Sequence, residues 1–226
     1  MQKVNLLTYS DANYAELQKK TAIKAIASSA FDAVISKTRE DLVKERFYEA
    51  NKFILDQPRG GGYWLWKPFF IFQALFEMEQ DDILLYVDCG DSLEELDSIR
   101  EFLLNTMQDK DMILTEGAFK HSDYTKRDCF MLMNCDEEKY HNAIQLEAGM
   151  CVFKNTLRSR QILMEWIING QDPRIITDQE NEMGLNLPGF KDHRHDQSIL
   201  TNLWIKHKLY SSGELRKYVH GNQNKL

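Results

Sequence analysis

Ile83-Leu84-Leu85-Tyr86-Val87 is an unbroken apolar run rich in strand formers that stops on Asp88, and a second carboxylate, Asp91, follows Cys89 and Gly90. Carboxylates delivered at the end of a buried strand, over a glycine turn, are how open α/β sheets present ligands to a hard cation. A divalent ion held by Asp88 and Asp91 would in turn bind a diphosphate. The competing reading is a loop aspartate that caps the next helix, where Ser92 and Glu95 have capping-box spacing.

The preceding chain alternates strand and helix. Val4 to Tyr9 predicts a strand ending in Thr8-Tyr9-Ser10-Asp11, short polar residues that either hydrogen-bond a nucleotide or cap a helix. Tyr14 to Ser29 predicts a helix and Phe31 to Ile35 a short strand. Glu40 to Leu55 predicts one longer helix, from Val43, Phe47, Ala50 and Ile54. This βαβα order is that of a parallel sheet.

Arg59-Gly60-Gly61-Gly62-Tyr63-Trp64-Leu65-Trp66-Lys67-Pro68 follows. Three glycines mark unusual dihedrals or a close backbone approach, but the spacing is not that of a P-loop. Pro68 suits the first turn of a helix through Phe76. Tyr63, Trp64 and Trp66 either stack on a ligand ring or fill the core. Lys67 is harder to explain as packing, and would reach a phosphate or a carboxylate of the metal site.

Beyond the central run, Leu96 to Met107 keeps helical spacing, and Asp111 to Glu116 is a further strand. Thr125-Lys126-Arg127-Asp128 is a charged cluster whose commonest explanation is a solvated turn. Glu147, Ala148 and Gly149 open the strand Met150 to Phe153, with small residues that let something approach the backbone. Thr156 caps a helix that Gly170 and Pro173 end. His193-Arg194-His195-Asp196-Gln197-Ser198 starts the last helix and is too polar to be expected in a core. Asp196 and Gln197 suit hydrogen bonding to a polyol, or Asp196 serves as an N-cap among solvated charges. Near the end, His220 would add a nitrogen ligand to the metal.

The chain has 226 residues, 43% of them apolar and 28% charged, enough for one sizeable domain with its own core. A net charge of -7 argues against a general nucleic-acid binder. Residues 191–226 nevertheless hold seven Lys/Arg against three Asp/Glu, a basic segment that would fold over an anionic ligand or remain a solvated tail. Four cysteines without metal-ligand spacing read as free thiols of a cytoplasmic protein. No apolar run is long enough to span a membrane, which leaves peripheral association open.

Together these residues resemble the GT-A glycosyltransferases, and in particular small bacterial and viral polysaccharide glycosyltransferases. The shared pattern is GYWLWKP at 62–68, LLYVDCGD at 84–91, TKRD at 125–128, QLEAG at 145–149 and RHDQS at 194–198. A more distant likeness is to the retaining family of glycogenin and bacterial galactosyltransferases. The resemblance implies a single α/β domain with a Rossmann-like, mostly parallel central sheet flanked by helices. Residues 1–92 would form a nucleotide-binding half and 93–226 an acceptor-binding half.

The resemblance also implies a metal-dependent transfer of sugar from a nucleoside-diphosphate sugar to a glycan, polysaccharide or lipid-linked acceptor, with retention slightly preferred. Asp88, Asp91 and His220 would hold manganese or magnesium. Thr8, Tyr9, Ser10, Trp66, Lys67, Lys126, Arg127, Ala148 and Gly149 would bind the donor, and Asp196, Gln197, Glu147 and Asp128 would serve catalysis. The departures are DCGD in place of DxD, Glu147 in place of an asparagine, and a late histidine motif only partly matched. Two rivals stay open at this stage. One is a haloacid-dehalogenase-like phosphatase with Asp88 as nucleophile; the other is a noncatalytic nucleotide- or sugar-binding module.

Overall fold

The computed structural model describes residues 2–220, the last of them by its backbone alone. Five strands make the central sheet: β1 (Val4–Ser10), β2 (Ala33–Thr38), β3 (Ile83–Val87), β5 (Met112–Lys120) and β6 (Ile144–Lys154). Their order is β2-β1-β3-β6-β5, and a separate two-stranded ribbon joins β4 (Ser92–Leu93) to β7 (Val219–His220). The parallel arrangement holds for β2, β1 and β3. β6 runs antiparallel to both β3 and β5, so the sheet is mixed.

All five residues of β3 are buried, and they alternate between two cores. Leu84 and Tyr86 face the larger core, under the helices Trp66–Glu77, Leu157–Gly170 and His195–His207. Ile83, Leu85 and Val87 face the smaller one, with Ile99 and Leu103 of the helix Leu96–Thr106. A strand covered on both faces must be apolar at every position, which explains the unbroken run. Asp88 is the first residue past that cover.

Two local expectations give way. The helix expected over Glu40 to Leu55 is three short helices, Arg39–Leu42, Arg46–Ala50 and Lys52–Leu55, broken by an extended Glu45 and by Asn51. Coiling the segment buries Leu42, Tyr48, Ile54 and Leu55 together, and Arg39 ties its ends by donating to the Leu55 carbonyl at 2.7 Å. The Ser92–Glu95 capping box does not form either. Ser92 is drawn into β4 against His220, and Glu95 takes a left-handed conformation before the helix without a side-chain cap.

No helix among the described residues is long and apolar enough to cross a membrane. Asp88 follows the third strand in chain order of a half-antiparallel sheet. A phosphatase of the dehalogenase type would carry its nucleophile after the first strand, so that alternative loses its footing.

Candidate active site

Because β6 is antiparallel to β3, its early residues lie beside the carboxylates that end β3. The Asp88 amide donates to the Gly149 carbonyl at 2.8 Å, and the Asp91 amide turns back to the Asp88 carbonyl at 2.9 Å. A methyl group at Gly149 would sit 3.2 Å from Asp91 Oδ2 and 3.3 Å from Asp88 Oδ2. The two carboxylates therefore converge over one glycine. The geometry singles out neither carboxylate over the other.

The fit to a cation is that of a substrate-completed site. Two hard oxygen donors suit magnesium or manganese, which commonly take one or two carboxylates plus substrate phosphates. No group of three or more His, Cys, Asp or Glu placed to hold a metal occurs among the described residues. The backbone of His220 reaches β4 beside Ser92. Its side chain, expected to complete the shell, lies outside the described residues.

Lys67 stands behind the carboxylates. It is 2% exposed, and its ammonium lies 3.0 Å from Asp196 Oδ2 and 3.5 Å from Asp88 Oδ1. The sequence left open a phosphate or a carboxylate as its target; it meets two carboxylates. Burial alone would pull the Lys67 ammonium down, but Asp196 and then Asp88 outweigh it, and the net shift is upward. Asp196 moves the other way for a carboxylate, up to about 6, chiefly through burial, with Asp88 adding repulsion and Lys67 opposing both. Tyr86 closes the cluster by donating its hydroxyl to Asp88 Oδ1 at 2.6 Å.

The stretch around Asp196 read as too polar for a core, yet His193, His195 and Asp196 are all buried. Distant backbone satisfies the histidines. His193 Nε2 donates to the Ile175 carbonyl at 2.8 Å and its Nδ1 accepts from the Lys126 amide. His195 Nδ1 donates to the Ile176 carbonyl at 2.7 Å. Gln197 is clamped to β6: its carbonyl accepts from the Ala148 amide at 3.3 Å and its amide donates to Gln145 Oε1 at 3.1 Å. Gln145 in turn donates to Ser198 Oγ and the Tyr124 carbonyl. Behind it, buried His121 bridges Thr125 and Asn202. His121 and Asn202 were not singled out in the sequence, where nothing local marks them, and Gln145 entered only as the first residue of the QLEAG segment.

The remaining candidates divide. Thr8 is fully buried and its hydroxyl lacks a hydrogen-bond partner among the described residues. Ser10 spends its hydroxyl on Gln18 at 2.8 Å. Tyr9 and Trp66 stack on each other at 3.7 Å, and Trp66 Nε1 donates to the Gly60 carbonyl, so these rings are core. Glu147 is paired with Arg216 at 2.8 Å.

The Lys126–Asp128 cluster is buried at Lys126 and Asp128 rather than solvated, and it anchors a loop. Lys126 donates to the Thr177 and Gln179 carbonyls. Arg127 pairs with Asp136 at 2.7 Å. Asp128 accepts from the Glu182 and Met183 amides, one on each oxygen.

The glycine loop bears on the site in a way its composition only hinted at. Gly60, Gly61, Gly62, Tyr63 and Trp64 all have positive φ, from 53° to 102°, one left-handed turn. Tyr63 and Trp64 hold this costly conformation against His195, which has φ 45°; their ring centroids lie 4.8 and 5.6 Å from its own. Arg59, at the head of the turn, grips Asp178 at 3.0 Å and Asp192 at 2.6 Å.

The structure of mouse xyloside xylosyltransferase 1 in its apo form superposes with a TM-score of 0.52 at 11% identity, covering 94% of this chain and 84% of that one. The fold is GT-A glycosyltransferase-like. The galactosyltransferase LgtC with donor and acceptor sugar analogues (TM-score 0.46, 12% identity, 92% and 73% covered) also matches this GT-A-like chain, but too loosely to add weight. The same holds for a glycosyltransferase involved in glycosylating the PBCV-1 major capsid (0.45, 9%, 75% and 68%). No family profile and no curated protein sequence matches the chain.

Proposed function

We propose that this protein is a glycosyltransferase that moves a sugar from a nucleoside-diphosphate sugar to a glycan, polysaccharide or lipid-linked acceptor. The observation that carries the reading is the convergence of Asp88 and Asp91 over Gly149, on a GT-A-like sheet, with Lys67 and Asp196 behind them. A divalent cation bound by Asp88 and Asp91 would neutralise charge developing on the departing diphosphate. Lys67 holds Asp88 and Asp196 in place. Thr8 and Tyr9, near the end of β1, keep hydroxyls without a hydrogen-bond partner among the described residues and are the strand-end candidates for the nucleotide.

Retention is the preferred course. Inversion needs a carboxylate free to take the acceptor proton, and each carboxylate considered for that role is engaged. Asp128 accepts from two amides, Glu147 pairs with Arg216, and Asp196 pairs with Lys67. Front-face attack needs no free carboxylate base, and Gln197, clamped between Ala148 and Gln145, is the neutral amide that would lie along the donor's path.

The test is turnover of a nucleotide-sugar panel with manganese, following nucleoside diphosphate, inorganic phosphate and the anomer formed. Diphosphate release lost in Asp88→Asn and Asp91→Asn is expected, each change costing at least about a hundredfold. Phosphate release from a simple phosphomonoester, or a panel with no turnover on any acceptor, would sink the proposal.

A further inference from the structure

The helix Leu157–Gly170 is apolar on two sides. Ile162, Leu163 and Trp166 are buried in the larger core. A helix covered on one side only should be polar on the other. Instead Leu157, Met164 and Ile168 are 65%, 40% and 60% exposed, with exposed Gln161 among them. Steps of four, three and four residues put these four side chains in one stripe, with the spacing of a coiled-coil seam. We propose that this stripe is an interface between two copies of the chain, their Leu157–Gly170 helices parallel and in register about a two-fold axis. No step above uses this face, so the pairing stands or falls apart from the transfer reading.

Three observations choose a second copy as the occupant. In heptad terms Gln161 and Ile168 take the a positions, and Leu157 and Met164 the d positions. A β-branched residue at a with leucine at d favours two parallel strands, and a single polar residue at a fixes their register. The Gln161 amide is both donor and acceptor, so it can pair with the same amide of an identical helix. The second observation is the rim, whose charges are of mixed sign and engaged within the chain. Arg160 donates to Asn155 Oδ1 at 2.6 Å, Arg158 lies 3.7 Å from Asp111, and Glu165 pairs with Lys206 at 2.6 Å. Such a rim lacks the cation excess that draws a helix onto anionic lipid, and a chain of net charge -7 is itself repelled there. The third is that the apolar surface is wider than one helix. Asn155 donates to the Met78 and Glu79 carbonyls, which brings the end of the helix Trp66–Glu77 to the Leu157 end of the stripe. Phe76, near that end, is 75% exposed. A specific pairing buries about 1,000 Å² or more in total, and this second apolar element counts toward it.

The test is sedimentation velocity of the full chain over a range of about 1 to 200 µM, where a monomer–dimer equilibrium is expected. Ile168→Glu and Met164→Glu set like charges against each other across the two-fold axis, and each should weaken the dimer at least about tenfold. Ile23→Glu, on the helix Ala15–Ser28 and 57% exposed, should leave it unchanged. All three positions are open to solvent, so the variants keep the fold, as melting temperatures within a few degrees of the parent would confirm. The four native cysteines are buried, so Gln161→Cys supplies the accessible thiol, and air oxidation should link two chains through it. The inference is overturned if the chain stays monomeric throughout the range, if the Ile168 and Met164 variants dimerise as the parent does, or if Ile23→Glu dissociates the dimer as strongly. A dimer that gives no cross-link through Gln161→Cys overturns the parallel, in-register pairing. Flotation with phosphatidylglycerol vesicles that Ile168→Glu abolishes, in a chain monomeric in solution, would give the stripe to a lipid surface instead.

Discussion

At the scale of single residues, the site is two carboxylates over a glycine and a third behind a lysine. Gly149→Ala puts a methyl group 3.2 Å from Asp91 Oδ2 and 3.3 Å from Asp88 Oδ2, so the carboxylates must spread. The expected outcome is a several-fold rise in the manganese needed for half-maximal turnover, with the melting temperature nearly unchanged. Asp196 gives a pH prediction. Its carboxyl is raised from 3.8 to about 6, so the stability it contributes is complete below 3.8 and is lost as pH rises through about 6. The loss is on the order of 3 kcal/mol. Asp196→Asn should therefore gain on the parent protein between pH 4 and pH 7, as read by urea unfolding at both ends. A difference that shrinks or stays flat over that interval would refute the assignment.

At the scale of elements, the left-handed turn separates two costs that usually come together. At Gly62 a side chain meets both a φ of 102° and the Leu55 Cα at 2.5 Å. At Gly61 it meets only a φ of 58°, with Trp66 Nε1 3.7 Å away. Gly61→Ala should cost about 1 kcal/mol and Gly62→Ala clearly more, measured by denaturant unfolding.

The same elements show what a sequence can carry. Lys67 was legible because a cation between an aromatic loop and a proline has no packing role, and Asp88 because it ends a run that only a twice-covered strand needs. The break at Glu45 was not legible, since helical spacing continues across it and the Arg39 contact to Leu55 comes from a different turn of chain. His193 and His195 read as surface residues because the carbonyls that satisfy them, at Ile175 and Ile176, belong to another helix. Asn202 was silent for the same reason.

At the scale of the whole molecule, cover is unequal. β3 is buried from end to end, while the helix Ala15–Ser28 buries only Gln18 and Ala25. Amide exchange should be slowest in β3 and faster by orders of magnitude in that helix, a gradient readable by mass spectrometry. The mixed sheet has a further consequence. Lys67, Asp88 and Asp91 come from the chain before β4, and Gly149, Asp196 and Gln197 from the chain after it, joined where β3 meets β6. A chain divided in the exposed turn at Gln108 and Asp109 would leave each fragment with part of the centre and neither with all of it. Turnover by the mixed fragments would then report their reassembly, so the protein would serve as its own complementation assay.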